Sequence, residues 1–265
     1  CIKRCSTSKK VETKKKEENN TMNIVSLNVR TLRVKKSFTR VVHGKKGRPE
    51  DKKVFLMEEM MQNNIDVVCM QETRLADEEM DISIDKRFVM FNSINIIGSK
   101  IAKSRNGVGI MMKVESVDLS SLKVHRAEEK NEKGEVIFQD DRIIMVTGTF
   151  IGEKMLIICC YSPTNGYEDE KKAEFYERLE YCYRRIQNEY KKSVVMCGDF
   201  NARIGENEDG LMDFCCGRFK MLGKTNDNGE RMIEMCRSLN LIIADTIVRP
   251  EIINNHGTWY HSPSK

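Results

Sequence analysis

Short apolar runs, each closed by a polar residue, dominate the pattern along this chain. The first is Ile24, Val25, Leu27 and Val29, which predicts a strand opening at Met22. Ile65, Val67, Val68, Cys69 and Met70 form a nearly continuous apolar run, as expected of a strand covered on both faces. Phe88–Ile97, Gly107–Lys113, Arg142–Phe150, Lys154–Tyr161 and Ser193–Cys197 read likewise, with β-branched or aromatic residues bounded by Gly, Asn or charged turns. EEKNEKGE between two of them reads as an exposed hairpin loop. Helical spacing is rarer. It predicts helices over Val54–Asn64, carrying Leu56, Met57, Met60 and Met61, and over Glu168–Tyr190, with Tyr176, Leu179, Tyr183, Ile186 and Tyr190 on one face. A third helix follows TNDNG, where Asp227 and Glu230 have capping-box spacing and Met232, Cys236 and Leu239 point inward. Leu241–Ala244 and Thr258–Tyr260 read as further strands. No repeat is visible. The order of elements predicts two packed sheets with helices outside.

Composition narrows this picture. A chain of 265 residues with 40% hydrophobic and 32% charged residues can bury a sizeable core, and no stretch approaches the roughly 20 apolar residues of a membrane span. Ten cysteines invite a metal or disulfide reading, but Cys69, Cys159, Cys160 and Cys197 lie inside apolar runs, Cys182 and Cys236 in helical patterns, and the adjacent pairs Cys159–Cys160 and Cys215–Cys216 lack the C-x-x-C spacing of zinc sites. Buried free thiols in a reducing compartment are the simpler expectation. The net charge of +5 is unevenly spread: residues 1–53 carry 17 Lys and Arg against 5 Asp and Glu, and the rest 28 against 35. Residues 1–21 have no apolar periodicity and read as a disordered basic leader. Lys9–Lys16 within it can serve as a nuclear signal or simply as a solvated tail; intracellular, nuclear placement is the expectation. Arg30–Lys53, with ten basic residues and turns at Gly44, Gly47 and Pro49, reads as a long basic loop suited to a polyanion. His43 and His125 fall in polar stretches and are expected to be solvated.

The candidate chemistry sits at the strand ends. Asn28 closes the first strand in SLNVRT, Glu72 follows the second in VVCMQET, Tyr161 ends a third in IICCYSPTNG, and Asp199 and Asn201 end a fourth in VVMCGDFNARIG. Any one of them alone is an ordinary turn-former. Their recurrence after successive apolar strands predicts a convergence at one rim of the sheets, where a site is rigidly held.

These motifs together resemble the endonuclease/exonuclease/phosphatase superfamily, and the wording SLNVRTL, QETR, YSPTN, GDFNARIG and NDNGERM is most similar to its retrotransposon-type endonucleases, the branch that includes craniofacial development protein 2-like proteins. The resemblance runs from about Met22 to Tyr260. It implies an α+β fold, a four-layer α/β/β/α sandwich of two mixed sheets with outer helices, in one domain over residues 22–265. It implies Mg²⁺-dependent phosphodiester hydrolysis of DNA, with Mn²⁺ as an alternative ion. It carries over Glu72 as metal ligand with Asn28 beside it, Asp199 as the group that orients the attacking water, and Tyr161 and Asn201 as phosphate contacts. Asn28 also matches the residue that orients the metal or the catalytic Asp. Arg30, Arg33, Lys35, Lys36 and Asn228 are the expected phosphate or DNA contacts. Arg30 stands where repair-type members have an acidic residue. The family's closing I-D-Y-type and S-D-H motifs have no counterpart before Lys265, so the expectation is a domain lacking its C-terminal strands, its closing Asp and its catalytic His; the context of His256 and His261 does not match that His. Two other readings stay open: an inactive nucleic-acid or chromatin-binding module, and a phosphatase of inositol phosphates or lipid head groups.

Overall fold

The computed structural model describes residues 21–32, 39–42, 45–49, 52–75, 81–93, 95–97, 100–102, 106–186, 193–205, 214–219, 221 and 223–247. They fall into two compact units, one within Ile2–Tyr161 and Arg185–Asp199, the other within Ser162–Arg184 and Phe200–Lys265, with Cys1. Residues 1–20 of the leader, Arg33, Lys35, Lys36, His43, Tyr190 and everything from residue 248 onward lie outside the described residues.

The first unit holds every strand among the described residues. In chain order these are β1 (Ile24–Asn28), β2 (Thr39–Val42), β3 (Lys45–Pro49), β4 (Val67–Gln71), β5 (Asp81–Asp85), β6 (Phe88–Asn92), β7 (Asn95–Ile97), β8 (Lys100–Ala102), β9 (Val108–Lys113), β10 (Val117–Lys130), β11 (Val136–Phe150), β12 (Glu153–Tyr161) and β13 (Val194–Asp199). One sheet has the order β1-β4-β9-β6-β5, the other β13-β12-β11-β7-β8 with β10 also on β11. Both are mixed: β1 runs parallel to β4 and β12 parallel to β13, while the neighbouring pairs β4–β9 and β11–β12 are antiparallel. The expected pair of mixed sheets is present.

Strand period two decides what each sheet buries. Val67 and Cys69 of β4, with Ile110 and Met112 of β9, meet Ile144, Val146, Ile157 and Cys159 of the opposite sheet in one apolar layer. The alternate residues Val68, Met70 and Met111 face the other way, onto α1 (Lys52–Gln62) through Leu56, Met57 and Met60. That two-sided cover explains why all five β4 residues are buried. Helix α1 ends because Asn64 turns left-handed (φ 50°) and Ile65 N–H returns to the Met60 carbonyl at 2.8 Å, a closing turn that leads straight into β4.

Three expectations need correction in this unit, and one strand was not foreseen. The basic Arg30–Lys53 segment is not one loop: β2 and β3 form a hairpin inside it, and Lys52 and Lys53 already belong to α1. The run Phe88–Ile97 is split between sheets. Ser93, whose hydroxyl donates to the Asp140 carbonyl at 2.7 Å, lies between β6 of one sheet and β7 of the other. Strand β10, half-exposed and irregularly registered against β11, carries too little apolar alternation to be read from its residues. His125 belongs to it, part-buried, with Nε2 at 3.0 Å from Thr147 Oγ1, rather than to a solvated loop.

The second unit contains α2 (Asp169–Ile186) as far as Arg184, and α3 (Asp227–Leu239). Lys172 of α2 pairs with Asp169 of its own helix (2.8 Å) and ties it to α3 through Asp227 (2.6 Å). The aromatic stripe of α2 is core: Phe175, Tyr176, Leu179, Cys182 and Tyr183 are buried. The cap of α3 is Asn226 rather than Asp227; its side chain accepts Gly229 N–H at 2.8 Å, and Asp227 binds Lys172 and Arg231 instead. Met235, not Met232, is buried with Cys236 and Leu239. Ile243 makes a single bridge to Cys216 and is followed by a 3-10 turn over Ala244–Thr246, so Leu241–Ala244 is not a strand. The eight described cysteines are free thiols. No helix among the described residues is long and apolar enough to cross a membrane.

Candidate active site

The parallel pairs β1–β4 and β12–β13 place four of the predicted residues together. Asn28 is the last residue of β1, Glu72 follows β4, and Tyr161 and Asp199 are register partners at the ends of β12 and β13. Asn28 is the hub. Its Nδ2 donates to Glu72 Oε1 at 2.8 Å and to Asp199 Oδ2 at 3.2 Å, while its Oδ1 accepts the Arg30 backbone N–H at 3.1 Å. That three-way pattern fixes which end of the amide is which, since only nitrogen can donate to two carboxylates. The Tyr161 hydroxyl adds a second bond to Glu72 Oε1, at 3.2 Å.

The supports of these groups come from the strands behind them. Buried Gln71 spans the sheets, its Nε2 reaching Ser26 Oγ (3.2 Å), the Cys69 carbonyl (3.1 Å) and Cys159 Sγ (3.4 Å). Gly198 is required by close approach: a Cβ there would lie 2.5 Å from the Cys160 carbonyl oxygen, so only glycine lets β13 sit against β12 just before Asp199. Past the strand ends, Arg30, Thr31, Glu72 and Arg74 all have positive φ (50°, 99°, 56° and 52°). Each such residue costs on the order of 1 kcal/mol or more, which persists only where surrounding bonds impose it. Here they do. Thr31 N–H binds the Glu72 carbonyl at 2.7 Å, Thr73 N–H the Gly107 carbonyl at 3.0 Å, and Arg74 N–H the Asn106 carbonyl at 3.0 Å. The strain is gathered beside two carboxylates.

Two arginines join the cluster that strand-end reasoning passed over. Arg74 forms an ion pair with Glu72 Oε2. Arg142 lies 5.2 Å over the Tyr161 ring and donates from Nη1 to the Tyr161 carbonyl at 3.1 Å. The R of QETR was the available signal for the first; nothing local marks the second. Electrostatics follows from this packing. Burial pushes the Glu72 carboxyl up, but the bonds from Asn28 and Arg74, the Arg74 charge and the Tyr161 hydroxyl outweigh it and hold the group below its ordinary range. Burial, then the Glu72 charge and hydrogen bond, then Asp199, drive the Tyr161 phenol up to about 12 against the opposing Arg142.

The remaining described site residues are Asn201, Asn228 and Arg30. Asn201 belongs to the second unit, in the left-handed conformation (φ 47°), with its Nδ2 on the Ser162 carbonyl at 2.9 Å. Asn228 in that unit is fully buried. Its Nδ2 donates to the Pro163 carbonyl at 2.9 Å, and its own carbonyl accepts the Tyr176 hydroxyl at 3.0 Å, so it knits the Y-S-P-T-N and D-N-G segments together. Arg30 is exposed. Lys52 of the basic segment caps the carbonyls of Val29 (3.3 Å) and Thr31 (2.8 Å) and so props the loop after β1.

A divalent cation can be tested against this donor set. Glu72 and Asp199 are two hard carboxylates held within hydrogen-bond reach of one nitrogen, the pairing Mg²⁺ takes when it keeps most of its waters. Asn28, whose oxygen accepts the Arg30 backbone N–H with one of its two lone pairs, stands beside them. It fits as the residue that orients both carboxylates. Among the described residues no cluster of three or more His, Cys, Asp or Glu side chains is present.

No protein-family profile matches the chain. Over 110 residues it is 32% identical to Craniofacial development protein 2 of Bos taurus, a match covering 41% of this chain and 17% of that protein. The same protein of Tragulus javanicus is 30% identical over 110 residues, covering 41% and 18%. The match thus spans less than a fifth of these relatives. Among solved structures, the AP endonuclease LMAP from Leishmania major superposes with a TM-score of 0.50 at 15% identity, covering 82% of this chain and 66% of that one.

Proposed function

From a chain that has the fold of the endonuclease/exonuclease/phosphatase superfamily and sequence similarity to craniofacial development protein 2, we propose a metal-assisted hydrolase of nucleic-acid phosphodiesters, with DNA as the substrate. The observation that carries this reading is the gathering of Glu72, Asp199 and Tyr161 around the Asn28 amide at the ends of β1, β4, β12 and β13. Asp199 orients the attacking water and takes its proton; the Asn28 N–H on Oδ2 sets the carboxylate's direction. Tyr161, kept neutral at any working pH by a phenol shifted to about 12, remains a donor for a phosphate oxygen as charge grows there. Glu72, with Asn28 beside it, would hold Mg²⁺ or Mn²⁺. Such an ion, when bound, offsets charge on the phosphate and on the leaving oxygen. The concentration of ten basic residues in Arg30–Lys53 supports a long polyanion over a small phosphate ester.

The test is nicking of supercoiled plasmid with Mg²⁺ by the wild-type chain, Asp199→Asn and Glu72→Gln. Each variant is expected to lose activity by about 100-fold or more. Wild-type rates in Asp199→Asn would overturn the assignment.

A further inference from the structure

Arg74 already sits where Glu72 would receive a cation. Glu72 Oε1 accepts both Asn28 Nδ2 (2.8 Å) and the Tyr161 hydroxyl (3.2 Å), and Arg74 Nη2 covers Oε2. Each carboxylate oxygen has two lone pairs, so Oε1 is already filled by two donors and a divalent ion has its opening at Oε2, against the charge of Arg74. Arg74 is the weaker occupant. Its side chain is 44% exposed against 15% for Glu72, and its Nε is buried without a hydrogen-bond partner among the described residues. Nη2 alone is thus bonded to Glu72, and the two-pronged grip that makes Arg–carboxylate pairs strong is absent. The backbone beneath is fixed in a left-handed turn by the bond to the Asn106 carbonyl, so the side chain is what can move.

Resting on the metal-assisted reading above, we propose that Arg74 is an internal counter-ion of Glu72. It holds the carboxylate in place without a metal, competes with a divalent ion for Oε2, and sets how tightly that ion binds. On displacement its guanidinium is released at the rim, where a phosphate is the natural partner for its fork of donors.

Mn²⁺ alone is the probe, its free fraction read by electron paramagnetic resonance in the absence of nucleic acid. Arg74→Met should bind Mn²⁺ about 5-fold more tightly than wild type, the scale of one partly exposed ion pair. Arg74→Lys, which keeps the competing charge, should stay near wild type. Glu72→Gln should lose the site. Equal or weaker binding by Arg74→Met, with Glu72→Gln still impaired, overturns the counter-ion role while leaving the site reading intact. Wild-type affinity in Glu72→Gln overturns the site reading itself. A second measurement does not depend on how Arg74→Met folds. In ¹⁵N-labelled wild type, the Arg74 Nε resonance, assigned by its loss in Arg74→Lys, should shift as Mg²⁺ is added. An unmoved resonance at saturating Mg²⁺ refutes displacement.

Discussion

Replacing Asn28 with alanine removes the one group that both carboxylates share. Two charge-assisted hydrogen bonds disappear, at 2.8 Å to Glu72 and 3.2 Å to Asp199. A hydrogen bond to a charged group is worth roughly 1.5–3 kcal/mol when buried, and the partly exposed position of this cluster brings each nearer to about 1 kcal/mol. The two carboxylates then repel across the gap, which adds on the order of 0.5–1 kcal/mol. The expected loss at pH 7 is about 2–3 kcal/mol, a large share of the 5–15 kcal/mol typical of a folded domain. The pH dependence has a definite sign. Glu72 is depressed in the folded protein, so its contribution is complete above the ordinary carboxylate range and is lost as pH falls through its lowered value. The gap between wild type and Asn28→Ala should accordingly narrow on acidification. Urea titrations followed by far-UV circular dichroism at pH 7 and at about pH 3 measure both quantities, provided the slopes agree. A gap below about 0.5 kcal/mol at pH 7, or one of unchanged size at the lower pH, would refute the hub role of Asn28.

Other consequences are equally direct. Absorbance titration near 295 nm should assign to Tyr161 a phenol titrating at about 12, absent in Tyr161→Phe and shifted down in Glu72→Gln; its stabilising share is full below the ordinary tyrosine value of about 10 and lost as pH rises through about 12. A Tyr161 signal near 10 would contradict the packing. Gly198→Ala should cost about 2 kcal/mol in thermal denaturation, because the new methyl meets the Cys160 carbonyl at 2.5 Å, and should impair nicking by shifting β13 beneath Asp199; an unchanged melting temperature would show that the strands can part cheaply. Asn226→Ala should cost about 1–2 kcal/mol, since this side chain accepts Gly229 N–H and Arg203 N–H and donates to the Asn201 carbonyl. Asn226→Ser should recover part of it, and equal stability of the two variants would deny the cap.

What the residues determine by themselves is local. A nearly continuous apolar run over Ile65–Met70 and helical spacing along Leu56–Met60 specify which side chains seek cover, because an unbroken apolar run and a period of 3.6 are properties of single segments. Polar residues closing such runs marked Asn28, Glu72, Tyr161 and Asp199 as rim positions for the same reason. Tertiary structure decided how these ends use each other. Asn28 lies 44 residues from Glu72 and 171 from Asp199, and only the parallel pairings β1–β4 and β12–β13 bring one amide to both carboxylates and turn its oxygen away from them. The weak alternation of β10 leaves it unreadable until β11 supplies a partner. The hub at Asn226 displaces the capping role from Asp227 because Lys172, on a different helix, claims that carboxylate. Arg74 carries no periodic signal, and its place on Glu72 Oε2 follows from a strained turn held by Asn106. Local pattern tells a segment which face to bury; contacts between segments far apart in the chain decide which atoms meet at the rim.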